Sequence, residues 1–78
     1  MSRWFVTWNR AEYKEWAIPK PYGYLLLILR RQPHDFLVAK AKLVMGKTGF
    51  PGFKPLKTEL LATKTSAMAL INQWKKSP

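Results

Sequence analysis

The sequence predicts an α+β fold, in which a small antiparallel sheet of three to four strands carries one C-terminal helix on one face. Three observations predict it. A continuous apolar run over residues 22–31 is bounded by turn residues, a second apolar segment over 36–45 follows after a short turn, and apolar residues recur at helical spacing over 67–74. A chain of 78 residues is expected to form a single domain over residues 1–78.

The first strand is expected near the N-terminus. Aromatic and β-branched side chains dominate there, and they suit an extended backbone. A period of two places Trp4, Val6 and Trp8 on one face, with Phe5 and Thr7 on the other.

Residues 11–17 have apolar side chains at helical spacing, but Pro19 and Pro21 follow at once. Proline removes a backbone donor and restricts the residue before it, so we expect an irregular connection or a single helical turn here. The apolar run over 22–31 comes next. Because residues 32–35 form a turn signal after it, we interpret this run as the central strand of the sheet.

The segment over residues 36–45 fits two structures. As a strand it places Lys40 and Lys42 on one face, and on the other an apolar set made of Leu37, Ala39, Ala41, Leu43 and Met45. As a helix it begins after a cap at Asp35 and ends at Gly46. The short preceding turn favours a hairpin, so we favour the strand.

Residues 46–55 are rich in glycine and proline and predict a mobile loop, followed by a short last strand over 56–62. The final element is a helix that begins after a cap at Thr63 or Thr65. Its apolar stripe consists of Ala67, Leu70, Ile71 and Trp74.

Charge is the strongest functional indication. Fourteen Lys and Arg against four Asp and Glu give a formal net charge of +10 and an isoelectric point near 10.3. Such an excess repels itself in the compact state, and a polyanionic partner relieves the repulsion. The chain has no cysteine, which excludes disulfides and thiolate zinc sites.

No stretch resembles a signal peptide, and the apolar run over residues 22–29 is too short to cross a bilayer. We therefore expect a soluble, cytoplasmic or nucleoid-associated protein with no transmembrane segment. Its few carboxylates are scattered, and His34 beside Asp35 has no nucleophile or second ligand near it in sequence. We expect neither an enzyme nor a metal or other cofactor.

The expected site is electrostatic and lies on the sheet face opposite the helix, or on its rim. The cations expected to contact phosphates are Arg30, Arg31, Lys40, Lys42, Lys47 and Lys54. Of these, the two arginines are the candidates for gripping guanine. The aromatic residues expected to stack on unpaired bases are Tyr22, Tyr24, Phe50 and Phe53.

The helix start over residues 63–67, the terminal Trp74 and the basic hairpin before them resemble, in outline, the three-stranded DNA-binding domains at the N-termini of some phage integrases. That resemblance implies a sheet that enters the major groove and a C-terminal helix that braces it.

We therefore expect a small basic nucleic-acid-binding module that prefers DNA to RNA, an accessory or regulatory protein of a phage or mobile element. The alternative is a protein-interaction module, an inhibitor, adaptor or homodimer, whose basic and aromatic surface docks on an acidic partner. In a homodimer the aromatic N-terminal segment is the expected contact. A third reading is association with an anionic membrane surface.

Overall fold

The computed structural model describes residues 4–45 and 51–76. Within these residues, one five-stranded sheet in the order β1-β2-β3-β4-β5, with each strand antiparallel to the next, is followed by one helix. The elements are β1 (Phe5–Asn9), β2 (Tyr13–Lys20), β3 (Gly23–Arg31), β4 (Phe36–Met45), β5 (Pro51–Leu61) and α1 (Lys64–Lys76). The α+β class and the C-terminal helix are confirmed, whereas the sheet has one strand more than the upper number predicted.

The additional strand is β2, which occupies most of the segment predicted as an irregular connection or helical turn. Its pairing with β3 runs over its whole length, from Tyr13 to Lys20. Pro19 is compatible with this strand because β1 pairs with β2 only from Lys14 to Ala17. Beyond Ala17 the outer edge of β2 has no neighbouring strand among the described residues, and proline is tolerated where no ladder hydrogen bond is lost.

The predicted central strand is confirmed, because β3 lies in the middle of the sheet. The strand interpretation of residues 36–45 is also confirmed. Residues 51–55, predicted as part of the loop over 46–55, belong to β5. Proline is acceptable there because β5 is an edge strand. Residues 46–50 lie outside the described part of the chain.

The helix packs on one side of the sheet and closes the core. Trp16, Leu27, Leu29 and Val38 from the sheet meet a helical stripe made of Ala67, Ile71 and Trp74. Burial of large apolar side chains is the main favourable contribution to folding. The predicted core role of Trp74 is confirmed.

Both ends of α1 are tied to the rest of the chain. Thr63 is the N-cap, because the Ser66 backbone N–H donates to Thr63 Oγ1 at 3.1 Å and the Ala67 N–H donates to the Thr63 carbonyl at 3.1 Å. The alternative cap, Thr65, lies inside the helix. At the other end Trp4 Nε1 donates to the Lys75 carbonyl oxygen at 3.1 Å. This bond satisfies one of the carbonyls that a helix end leaves unpaired.

The strand register separates the two sides of the sheet, because residues paired across neighbouring strands point the same way. We call the side that holds Leu27 and the helix the helix side, and the other the open side. Val38 lies on the helix side, so Lys40 and Lys42 lie there too, and Leu37 faces the open side. Lys40 and Lys42 therefore do not lie on the face opposite the helix, which is one of the two positions expected for them.

Candidate nucleic-acid interface

Four lysines form a compact group on the helix side, on the two strands at one margin of the sheet. Lys40 on β4 is paired with Lys57 on β5, and Lys42 is paired with Lys54. We call these four residues the lysine cluster. Side chains paired in this way have Cβ atoms about 5 Å apart, so each pair brings two like charges together. Each pair therefore opposes folding.

Within the described residues, no carboxylate lies within ion-pair distance of the lysine cluster. Glu59 is the acidic residue on the same side of β5, where it is paired with Val38. Two of the four ammonium groups lie over aromatic rings instead: Lys42 Nζ is 4.7 Å from the Tyr22 ring centroid, and Lys57 Nζ is 5.5 Å from that of Trp74. Such contacts orient an ammonium group but leave its charge in place.

The end of the helix adds charge beside the cluster. Lys75 and Lys76 occupy the last turn of α1, where cations suit the helix dipole. Lys75 Nζ lies 4.6 Å from the Trp16 ring centroid, and burial lowers the pKa of this ammonium group. The lowering arises because a partly desolvated ammonium is less stable in its charged form.

A second basic area lies by the start of the helix. Lys14, Arg31 and Lys64 line a cavity of about 240 Å³ together with Glu12. The Arg31 backbone N–H donates to the Glu12 carbonyl at 2.8 Å, which fixes the connection before β2 against the end of β3. Arg31 therefore lies on the helix side, at the opposite end of the sheet from the Lys42–Lys54 pair.

The cations of the protein are strongly segregated. Of the twelve Lys and Arg in the described residues, ten lie on the helix side. Arg30, on β3, faces the open side, because its neighbour in β4 is Leu37. Arg10 lies with its guanidinium carbon 5.3 Å from the ring centroid of Trp8, which also faces the open side. The structure thus separates Arg30 from Arg31 and from the lysine cluster.

Two of the predicted stacking residues lie away from the lysine cluster, and one lies beside it. Tyr24 and Phe53 face the open side, where both flank Leu43 and both are exposed. The ring of Tyr22 is approached by Lys42. Lys47 and Phe50 lie outside the described residues. A mixed surface of cations and free aromatic rings, as predicted, is therefore not formed by the residues that the structure describes.

Three residues of interest are missing from the sequence-based site. Lys57 completes the lysine cluster, but only the register of β5 reveals its pairing with Lys40. Phe5 and Trp8 both face the open side, because a register shift between Val6 and Trp8 interrupts the alternation. The prediction that Trp4 and Trp8 share a face is wrong for this reason. No signal in the sequence marks the shift.

The described residues contain no group of three or more His, Cys, Asp or Glu able to hold a metal ion. No helix within residues 4–45 and 51–76 is long and apolar enough to cross a membrane. No family model, curated protein or solved structure matches the chain.

Proposed function

We propose that this protein binds nucleic acid through the helix side of its sheet, with the lysine cluster as the centre of the contact. The observation that carries the proposal is the direct pairing of Lys40 with Lys57 and of Lys42 with Lys54, with no carboxylate within ion-pair distance in the part of the chain that the structure describes. Like charges opposite one another cost free energy in the unbound protein. A polyanion that lies across both pairs removes this cost.

Phosphates fit the arrangement better than a single small anion does. Neighbouring strands are about 4.8 Å apart, and residues two positions apart on a strand are separated by roughly 6.7 Å. The four ammonium groups, on flexible stems, therefore cover an area that spans several phosphates of a nucleic-acid backbone. Lys75 and Lys76 extend the same surface.

The position of the aromatic residues bears on the mode of binding. Tyr22, Trp16 and Trp74, the rings beside these cations, are already approached by lysine side chains. Tyr24 and Phe53 lie on the other side of the sheet. This favours contacts with phosphates over base stacking, and so a binding mode with little sequence preference. We propose duplex DNA as the preferred ligand, ahead of RNA.

The test is fluorescence anisotropy with labelled duplex DNA, single-stranded DNA and RNA, each over a series of salt concentrations. We expect the logarithm of the affinity for duplex to fall linearly with the logarithm of the salt concentration. Replacing Lys40, Lys42, Lys54 and Lys57 by Gln should reduce the magnitude of that slope by about 3 to 4, since each phosphate contact contributes about 0.9. Circular dichroism verifies that the variant is folded.

The matched control compares two variants, each of which loses one positive charge, on opposite sides of the sheet. Lys54→Gln and Arg30→Gln remove the same charge from exposed side chains, but on opposite sides. We expect the first to weaken duplex binding and flatten the salt dependence, and the second to leave both nearly unchanged. Equal losses in the two variants would mean that net charge, and not the cluster, determines binding.

An acidic protein partner is the alternative ligand for the same surface. Competition with polyglutamate separates the two. If polyglutamate at an equal concentration of charges displaces the nucleic acid, the acidic protein partner is favoured. If the nucleic acid stays bound, the result supports the proposal. The regulatory role in a phage or mobile element stays a prediction, because no contact in the structure bears on it.

A further inference from the structure

We infer that the open side of the sheet is the interface of a homodimer, in which a second copy of this chain covers the same surface. The inference goes beyond nucleic-acid binding and does not depend on it, since the open side and the lysine cluster lie on opposite sides of the sheet.

The two strands β3 and β4 carry apolar residues on both sides of the sheet. An antiparallel sheet with one solvated face alternates apolar with polar residues. β3 does not alternate, because Leu26 and Ile28 face the open side while Leu25, Leu27 and Leu29 face the helix side. On β4 the open side carries Leu37, Ala39, Ala41 and Leu43. These strands have the composition of strands buried on both sides, yet the helix covers only one.

Large apolar side chains of the open side are also exposed to solvent. Five large apolar residues of the open side are between 38 and 60 % exposed: Phe5, Trp8, Tyr24, Phe53 and Leu60. They lie on three of the five strands, the two edge strands β1 and β5 and the central β3, so the apolar surface extends across the sheet. Contiguous exposed apolar patches larger than a few hundred Å² are uncommon on monomeric proteins and mark interaction sites.

The shape of this surface suits the insertion of a side chain. Ala17 and Leu26 form the floor of a hollow of about 210 Å³, with Phe5, Tyr24 and Leu43 around it. The Phe5 and Tyr24 rings meet edge to face, with centroids 6.1 Å apart, which fixes one wall. An apolar cavity of about 150 Å³ is large enough to bind benzene, so this hollow accepts an aromatic ring from a facing surface.

Charge selects a second copy as the occupant. Among the described residues, the open side carries two cations, Arg10 and Arg30, and one anion, Glu15, whereas all six lysines in the described strands lie on the helix side. A nucleic acid or an anionic membrane would meet a nearly neutral surface here. A second copy related by a two-fold axis can place each Arg30 towards the partner's Glu15, so the surface is complementary to itself.

The same geometry limits the repulsion between two strongly cationic chains. Stacked sheets lie about 10 Å apart, so lysines that project from the outer sides are separated by roughly 20 Å. This is about twice the Debye length at physiological ionic strength, and the repulsion is largely screened. A dimer formed through the helix side would bring the two lysine clusters together.

The size of the surface is sufficient. Five strands about 4.8 Å apart, with five to eleven residues each at about 3.3 Å, give a face of roughly 700 Å² in projection. A standard stable interface buries about 800 Å² on each partner. The overall extents of the protein, 40 × 28 × 21 Å, leave room for a contact of this scale.

The test is the mass of the protein in solution, without nucleic acid, by sedimentation velocity from 1 to about 200 μM, a span that brackets micromolar affinities. We expect twice the 9.1 kDa of a single chain at the upper concentrations. Phe53→Lys and Tyr24→Lys place a charge on the open side and should yield the monomer. Phe53 is at the edge and more than half exposed, so its replacement leaves the core intact.

The matched control is Val6→Lys. Val6 is 55 % exposed, and its replacement by Lys adds the same charge as each open-side substitution. Val6 is paired with Trp16 on the neighbouring strand, which places it on the helix side. We expect this variant to remain dimeric. A wild-type chain that is monomeric throughout the range would overturn the inference. So would a dimer that survives both open-side substitutions, or one that Val6→Lys alone dissociates.

Discussion

The two sides of the sheet are built from the same strands but differ in every property that governs binding. The helix side is covered by α1 at its centre and carries ten cations around that cover. The open side is apolar and nearly neutral, and no helix or strand of the described residues packs on it. A net charge of +10 therefore describes neither side. For a small basic protein, the useful question is which side of each strand the charges occupy.

The comparison suggests a division of roles. The four residues of the lysine cluster, with no carboxylate of the described residues in ion-pair contact, favour a polyanion there. Apolar side chains gathered on the other side favour contact with the apolar surface of a partner. The two contacts do not compete for the same residues, so one can be removed while the other is retained. The predictions below use this separation.

The largest difference is expected between two neighbouring leucines of β3. Leu27 is fully buried under the helix, whereas Leu26 lies on the open side as the floor of the hollow. Leu27→Ala should lower the free energy of unfolding by about 3 to 4 kcal/mol, since it leaves a cavity in a closed core. Leu26 is 7 % exposed, and Leu26→Ala should cost about 2 kcal/mol, the low end for a buried leucine, because solvent or a rearranged neighbour can fill the space.

Urea denaturation at two protein concentrations checks this pair. The effect of Leu27→Ala should be the same at both concentrations. If a second copy covers the open side, the midpoint for the wild type rises with concentration, and Leu26→Ala reduces that rise. Equal costs for the two substitutions would contradict the distinction between a covered and an uncovered side.

The next effect concerns the helix that makes the two sides different. Thr63→Ala removes the acceptor for the Ser66 N–H and should lower the free energy of unfolding by about 1 kcal/mol. Thr65→Ala is the control, because Thr65 lies exposed within the first turn, and alanine is a better helix former. Thermal denaturation followed at 222 nm measures both. A larger loss at Thr65 would mean that the cap is misassigned.

The sequence predicts much of the fold because most elements carry a local signal. The helix shows a four-residue apolar stripe and a capping threonine, and β3 is an apolar run between turns. β2 is missed because its apolar residues happen to fall at helical spacing before two prolines. Its strand structure depends on pairing with β3, which is a long-range interaction.

The site is predicted in composition but not in arrangement. Lys40, Lys42 and Lys54 are predicted to share one surface, and the alternation within β4 and the register of β5 place them on the same side of the sheet. Arg30, Tyr24 and Phe53 lie on the other side. The sequence does not show this, because an apolar run without alternation does not indicate which side the helix will cover. The register shift between Val6 and Trp8 is likewise invisible to a period of two. Local sequence patterns do not specify the strand register, because the register is set by tertiary interactions.

A smaller effect tests the repulsion within the lysine cluster. Lys54→Glu turns the pair with Lys42 from like to opposite charge and should raise the free energy of unfolding by about 0.5 to 1 kcal/mol at low salt. Arg30→Glu changes the net charge equally but faces Leu37 and Tyr13, so no such gain is expected. The gain should disappear at about 1 M salt, where charges are screened within about 3 Å.

Urea denaturation at both salt concentrations measures these variants. A gain of equal size for Arg30→Glu would attribute the effect to net charge and remove the argument from pairing. Lys54→Glu should also weaken duplex binding. A gain in stability together with a loss of binding is the behaviour expected of a surface shaped for its ligand.

The smallest effect comes from the polar corner of the open side. Tyr13 donates to Glu15 Oε1 at 2.8 Å, and Thr7 donates to the same carboxylate. Burial, followed by the hydrogen bond to Glu15, raises the pKa of Tyr13 from 10.0 to about 12. The folded protein therefore holds this proton more tightly than the unfolded chain. The resulting stability is fully present below pH 10 and is lost as the pH rises through about 12.

Absorbance of tyrosinate at 295 nm follows this titration, and Tyr13→Phe should remove the step at about pH 12. The same measurement distinguishes a free open side from a covered one. A second copy lying over Tyr13 and Glu15 would bury the phenol further, and the pKa would rise with protein concentration, because desolvation disfavours the phenolate. If the midpoint of the titration does not depend on protein concentration, this corner of the open side is in contact with water.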